Sequence, residues 1–596
     1  MSLRTLRAVL SADSSVGAGN VLTTRAEQGL GPDSPTLTFD TPVDAHPAGQ
    51  ALTLSQLDLA VRVRAAALHA RGVRRRDPVA VQASAAADQV LCFLALSRLG
   101  AIPALLNPAL DADTSARYLR RLNAVGLLAD TAHAKALADA APTGPTPGDP
   151  GPAGPALANP VLAGPGCGIP LLADTAELAD GDPESAPEPY RHWPTDPVAI
   201  THSSGTTGLP KAVLHTHASL YAAIRHRLLL PRPQGIDRVL SALPAAHAAT
   251  LIAVNLALSF DAQLHLISGQ SGPAVLEAIE RWRPQGVYGF ATTWADLARH
   301  DLSARDLSSV GLWWNTGDCA HEAHIRRLVA QGSRETATRQ GRVRTAGSVF
   351  VDGLGSSEMG HSHFHITHTV DSARYGRCVG RPHTFVDCAV LDPDGNELGP
   401  GEVGELGTRS PTLSPGYWND SVTTHRTRVR DYFLTGDLMY RDEDGYYYHV
   451  DRAVDTVDLG DGRRLHTAAS EERVLAACPD VHDCTVVAFR DGDRTVADVL
   501  LQLDPAAAAR DAVSTTAEDA ARTTAEDTAR TAAQGAARTA ARTAEVLAAL
   551  EPHVAAVVRS VLVVEDADIP LGPTGKVRKV LLRERHLAAV APAAAR

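Results

Sequence analysis

Residues 199–217, AITHSSGTTGLPKAVLHTH, carry a dense set of anion-binding groups. An apolar run, DPVAI, leads into Ser203, Ser204, Gly205, Thr206, Thr207 and Gly208, and Pro210-Lys211 follows. Glycine lets the backbone turn sharply and aim its amides at an anion. Ser and Thr hydroxyls add donors, and lysine adds a compact positive charge. The chemistry this suits is the holding of a polyphosphate. The spacing is not GxxxxGK[ST], so this is not a loop of the Walker kind. Lysine is scarce in this chain: Lys135, Lys211, Lys576 and Lys579 are all there are in 596 residues. A lysine kept beside such a loop therefore carries more information than usual.

SSGTTGLPK resembles the signature of the AMP-forming adenylating superfamily, which includes acyl-CoA synthetases, nonribosomal adenylation domains and luciferases. Ser203 stands where that family has Thr, and keeps the hydroxyl. Further matches follow in the family's order from about residue 51 to about 585. LSALPAAHAAT (240–250) resembles the segment that lines the acid pocket, which places His247 there. In WWNTGDCA (313–320) only Gly317 survives of the turn that lies against adenine. VDGLGSSEMG (351–360) matches the next motif. The resemblance makes Glu358 the Mg²⁺ ligand, with Ser357 for the usual threonine, Asp352 for the asparagine that reads adenine, and Leu354 for the aromatic that stacks on it. Hard oxygen donors suit Mg²⁺, which needs only one or two carboxylates beside phosphates.

The family aspartate that accepts both ribose hydroxyls falls on Asp437 in LTGD, and its arginine near ribose and phosphate falls on Arg452. IPLGPTGKVRK (569–579) resembles the C-terminal motif whose lysine contacts the α-phosphate, here Lys576; Lys579 is read as peripheral. Cations aimed at developing phosphate charge are what such chemistry requires. The run His361-Ser-His363-Phe-His365 has a spacing of two, which on an extended strand points all three histidines one way. With no Cys or acidic residue between them, it is read as a polar pocket or a solvated strand, not as a metal site.

The joining segment, DRAVDTVDLGDGRRLHTAASEERV (451–474), departs from the family's CoA-ligase pattern. Val454 takes the polar hinge position, Gly460-Asp461-Gly462 carries an extra residue, and Ala469 replaces a glutamate. The resemblance therefore implies an ATP- and Mg²⁺-dependent ligase that activates a small or aromatic acid as an acyl-AMP and releases pyrophosphate, with CoA as the acceptor. The alternatives are an ATP-dependent diazotase that activates nitrite for coupling to an amino-aromatic acid, and a CoA-independent adenylating ligase. The joint presence of Lys211, Glu358, Asp437 and Lys576 opposes a dead binding protein.

Two domains must position these groups, because 596 residues exceed one compact core. SQLDLAVRVRAAALHARGV has helical spacing, DPVAVQA reads as a buried strand, and VLCFLALSRLGAIPALLNP as helix, turn and strand. This alternation predicts a large layered α/β domain at 1–451. A small mobile α+β domain at 452–596 carries Lys576. A Pro/Gly-rich insertion at about 141–171 is read as a surface loop, and an octad repeat within about 506–543 as a solvated helix or flexible insertion. The net charge of −12 opposes general binding to nucleic acid. Seven scattered cysteines without a CxxC pair, a start too short in apolar residues for a secretory signal, and no membrane-length apolar run predict a cytoplasmic protein.

Overall fold

The computed structural model describes residues 3–140, 169–203, 209–230, 235–339, 341–460, 462–492, 494–504, 507, 525–572 and 575–590. Ser204–Gly208, most of the Pro/Gly-rich insertion and the first part of the octad repeat lie outside the described residues.

The first predicted helix runs over Leu54–Ala70 and begins on a reciprocal cap: Thr53 accepts from the Gln56 amide while Gln56 accepts from the Thr53 amide. Leu57, Val61 and Leu68 are buried along one face. The helix Ala86–Arg98 and the strands Pro78–Gln82 and Ile102–Leu105 follow. These strands lie inside a six-stranded sheet, ordered Leu171–Asp174, Gly126–Ala129, Pro78–Gln82, Ile102–Leu105, Pro197–His202, Ala212–Thr216. Its inner strands are parallel and covered on both faces, which explains their continuous apolar runs. The last pair is antiparallel, so the chain turns back at residues 203–211, the phosphate-loop region.

A second, larger sheet carries the parallel strands Gln263–Leu266, Arg238–Ser241, Gly286–Phe290, Leu312–Thr316 and Val349–Asp352 side by side. It continues through Phe364–His368 and Cys378–Pro382 into the antiparallel strands Tyr447–Arg452, Tyr432–Arg441, Gly404–Arg409 and Asp387–Leu391. A small three-stranded sheet follows near the C-terminus, with Val481–Asp491 and Arg494–Leu503 antiparallel and Val558–Val563 parallel to the second. The chain is thus a large layered α/β body with a smaller C-terminal sheet domain.

Three sequence expectations change in detail. Leu171 already begins a strand, so the insertion loop ends sooner than 171. Residues 525–549 of the repeat region are helical, and the described part holds on through Val546, Leu550 and the Arg542–Asp480 ion pair while residues 537–541 are exposed. The histidine run is not one strand: Phe364–His368 is extended, but His361 and His363 precede it. His363 is buried and bonds Thr408 at 2.7 Å and Thr412 at 2.9 Å, while His365 is exposed. A period of two fails where the backbone is not extended.

The small domain docks through polar contacts. Glu472 Oε2 meets His321 Nδ1 at 2.5 Å, Arg327 forks onto Asp504 at 2.6 and 3.2 Å, and the His482 carbonyl lies 2.7 Å from His324 Nε2. Arg299 pairs with Asp566. Gly575 has φ +77°, and a Cβ there would stand 2.9 Å from Thr292 Oγ1. Only glycine satisfies both that backbone and that close approach, and it brings the next residue, Lys576, to the large domain.

Candidate active site

A cavity of about 480 Å³ lies between the two domains at the C-terminal ends of the parallel strands of the larger sheet. This is where open α/β sheets bind ligands. Ser203, Lys211, His247, Gly317, Ser357, Glu358, Asp437, Arg452 and Lys576 all line it, although they come from widely separated parts of the chain.

The polar end is built from short turns. The Ser203 amide donates to the Lys211 carbonyl at 3.0 Å, and the Lys211 amide donates to Ser203 Oγ at 3.1 Å. The phosphate-loop segment is therefore clamped at its base, with the Lys211 side chain projecting 5.1 Å from the centre of the Tyr417 ring. Tyr417 donates its hydroxyl to Glu358 Oε1 at 3.0 Å. Glu358 Oε2 has no protein partner among the described residues, so a hard carboxylate oxygen remains for a cation. One carboxylate beside a lysine charge fits Mg²⁺, which takes its other ligands from phosphates and water.

Asp437 and Arg452 are opposite each other on antiparallel strands, with Nη1 2.9 Å from Oδ1. Burial alone would raise the Asp437 pKa, but Arg452 and His449 outweigh it and hold it at about 2. Asp437 is thus an ionised acceptor at any physiological pH. Gly436, with φ +77°, distorts the strand just before it and donates its amide to Glu405 at 3.1 Å.

Asp318, absent from the sequence expectations, is the direct partner of Lys576. Oδ2 lies 3.3 Å from Nζ. Burial opposes its charge, yet Lys576, His449, Arg377 and Arg452 together keep its pKa well below the usual carboxylate range. The signal was adjacent to a recognised residue: Gly317, with φ +90°, turns the chain after Leu312–Thr316 and leaves Asp318 at the cavity. Asp352 is a correction. Its carboxylate does not line the cavity but accepts from Asn315 Nδ2 at 2.6 Å and from the Ala320 amide at 3.3 Å, bracing the turn from behind. Burial pushes its pKa up to about 6 despite these donors. The sequence could not separate the two carboxylates, because one follows a strand at the Gly317 turn and the other ends the neighbouring strand, and only packing decides which one faces inward. Lys579 is also off the cavity, but it is buried, bonding Glu471 at 2.8 Å and Thr467 at 2.7 Å.

The other end of the cavity is apolar. Ala249, Ile252, Ala253 and Leu256 face it from one side of the helix Ala248–Phe260, and Leu243, Ile224, Tyr288, Phe290 and Trp314 complete the wall. His247 caps that helix: its Nδ1 accepts the Ala249 amide at 3.1 Å, and its ring stands edge-on to Phe290 at 4.9 Å. Burial first, then the nearby His202 and Lys576, lower its pKa to about 3. The ring is therefore neutral, and with Nδ1 an acceptor its proton sits on Nε2. His247 can donate a hydrogen bond to an anionic oxygen; it is not a cation.

The cavity thus joins a cation-rich polar end to an aromatic chamber, and the family model for "AMP-binding enzyme" matches residues 27–418. The chain belongs to the AMP-binding enzyme family. A 3-aminoavenalumate diazotase from a Streptomyces species is 45% identical over 486 residues, covering 81% of this chain and 82% of that protein. A feruloyl-CoA synthase from an Amycolatopsis species is 27% identical over 451 residues, 74% and 82% of the two chains. The solved anthranilate CoA ligase in complex with anthranoyl-AMP shares the fold, with a TM-score of 0.74 at 20% identity over 97% and 98% of the chains. This AMP-binding enzyme is accordingly an adenylate-forming ligase of ATP. No described helix is long and apolar enough to cross a membrane.

Proposed function

We propose that this AMP-binding enzyme is an ATP-dependent diazotase that activates nitrite and couples it to an amino-substituted aromatic acid. The observation that carries the reading is the 45% identity to a diazotase across four-fifths of both chains, against 27% to a CoA ligase. The cavity supports it: one chamber of apolar and aromatic walls suits an arylamine, and the polar end suits a small anion beside ATP. The altered joining segment, with Val454 exposed at the cavity rim, favours an acceptor other than CoA.

In the first step a nitrite oxygen attacks the α-phosphorus of ATP, and pyrophosphate leaves. Lys576 and Lys211 face the phosphates, Asp437 receives the ribose hydroxyls beside Arg452, and His247 donates from Nε2 to the attacking anion. Ser203 and the loop Ser204–Gly208 hold the terminal phosphates, while Ser357 and Gly317 border the nucleotide. Glu358 is the residue that would hold Mg²⁺, which when bound neutralises phosphate charge. In the second step the arylamine nitrogen attacks the nitrosyl nitrogen. An N–N bond forms, the N–O bond to AMP breaks and the amine loses a proton. The resulting N-nitrosoarylamine tautomerises to the diazohydroxide, and protonation with loss of water gives the aryl diazonium ion. No oxidant or reductant is required.

In this reading residues 1–451 form the nucleotide- and amine-binding domain and 452–596 the domain that delivers Lys576. The six described cysteines are unpaired and buried, which supports a reducing, cytoplasmic setting.

The test is AMP release from Mg-ATP with ¹⁵N-nitrite and 3-aminocinnamate, trapping the diazonium with a naphthol as an azo dye. Nitrite-dependent AMP and ¹⁵N in the dye are expected. AMP release that needs CoA and ignores nitrite would assign thioester formation instead.

A further inference from the structure

Behind the Trp314 wall of the cavity stands a cation, Arg227, that the adenylation chemistry does not use. Arg227 lies one turn beyond the cavity-lining Ile224 on the helix Ala222–Leu229, and so on the same helical face. Its guanidinium stacks 4.3 Å from the centre of the Trp314 ring, which is itself a cavity wall. It also interacts electrostatically with Tyr288 and His361, two more wall residues. No carboxylate pairs with Arg227 among the described residues, and its nitrogens are not among the sealed, unbonded polar atoms. A half-buried guanidinium with its donors open and no counter-ion points to an anionic ligand.

Its neighbours do not supply a rival charge. His361, His365 and His383 cluster around it, with His365 and His383 stacked at 4.4 Å and His361 edge-on to His383 at 5.8 Å. Burial chiefly, and the Arg227 charge with it, lowers the pKa of all three, so they stay neutral near pH 7. Arg227 is the cation of this group.

The position along the cavity matters. Strands Gly286–Phe290 and Leu312–Thr316 pair in register, Phe290 with Thr316 and Tyr288 with Trp314. Phe290 and Thr316 stand at the end with His247 and Lys576; Tyr288 and Trp314 lie two residues back along the strands, a rise of about 7 Å. That depth suits an aromatic ring with a short unsaturated side chain.

We propose that Arg227 is the counter-ion for the carboxylate of the aromatic substrate, so that the acid group is recognised at the far end of the chamber and left unactivated. This inference rests on the diazotase reading for its orientation, amine towards the nitrosyl adenylate and carboxylate away from it. An aryl-CoA ligase would need the opposite orientation, because its carboxylate must reach the α-phosphorus. The diazotase that is 45% identical is named for a 3-amino-substituted carboxylate, which has the two groups this arrangement separates.

The experiment measures equilibrium binding of 3-aminocinnamate and of its carboxamide by calorimetry, to the wild type, Arg227→Gln and Arg227→Lys, without nitrite. The wild type is expected to prefer the carboxylate by about ten- to a hundredfold. Arg227→Gln is expected to abolish that preference by weakening the carboxylate alone, and Arg227→Lys to restore part of it. Equal wild-type affinity for acid and carboxamide, or equal weakening of both by Arg227→Gln, would overturn the proposal. Nitrite-dependent AMP release, measured separately on the wild type, decides the diazotase reading: its presence alongside equal affinities sinks only the Arg227 assignment. Its absence alongside an Arg227-dependent carboxylate preference keeps the anion site but removes the orientation.

Discussion

Replacing Lys576 by alanine separates charge used in catalysis from charge used in folding. In the structure Nζ lies 3.3 Å from Asp318 Oδ2, and both side chains are 33% exposed. Two unit charges at that distance attract by about 5 kcal/mol at an effective dielectric near 20 and about 1 kcal/mol in bulk water. With a third of each side chain in contact with solvent, the lower figure governs, and the substitution is expected to change unfolding stability by less than about 1 kcal/mol. The same lysine is therefore readily released from Asp318 to a phosphate oxygen. A cation preorganised at the α-phosphate contributes about 3–4 kcal/mol to the transition state, a loss of about 10²- to 10³-fold in the rate of adenylation. ATP affinity should change by less than about tenfold, because Lys211, Asp437 and Arg452 still line the cavity. Single-turnover pyrophosphate release gives the rate, and fluorescence titration with Mg-ATP the affinity. Turnover within about threefold of the wild type, or a loss of ATP binding in proportion to the loss of rate, would refute the assignment.

Three more predictions follow from other contacts. Asp437→Asn should weaken ATP binding at least about tenfold, the value of a charge-assisted acceptor. The fall of its pKa from 3.8 to about 2 corresponds to about 2 kcal/mol of stability, present above pH 3.8 and lost as pH drops through 2, so urea midpoints of mutant and wild type should converge in acid. Domain docking through His321 and Glu472 should depend on pH. Burial opposes the His321 charge and Glu472 outweighs it, raising its pKa above 6.5; burial opposes the Glu472 charge and His321 outweighs it, lowering its pKa below 4.5. The contact contributes fully between those values, weakens as pH rises through the raised histidine pKa and also weakens in acid. Protease cutting near 452–458 should increase above neutrality, and Glu472→Gln should flatten that profile; a flat wild-type profile contradicts the latch. Finally, Lys579→Met leaves Glu471 buried without its cation and should cost about 3 kcal/mol in urea unfolding. Unchanged stability would mean that the glutamate takes up a proton or another partner at no cost.

The pattern of residues alone determined a good deal here. Helical spacing at 54–70 and continuous apolar runs at 78–82 specify elements of a layered α/β body, since burial rewards those periods and no others. Local motifs likewise placed Lys211, Glu358, Asp437 and Lys576 at the cavity, because each stands beside glycines and hydroxyls that are near it in sequence and shape the backbone around it. Local spacing misled where the conformation was not regular. The alternation 361, 363, 365 predicts one face, but the strand begins at Phe364, and the three histidines point into different surroundings. Asp318 and Asp352 are similar on paper, and only the turn at Gly317, with Asn315 beneath it, sends one carboxylate to Lys576 and the other into the core. Arg227 has no motif at all. It acquires its place from a helix packed over Trp314, a residue 87 positions away, and contacts at such separation follow from the packing of whole elements, which the neighbouring sequence does not encode.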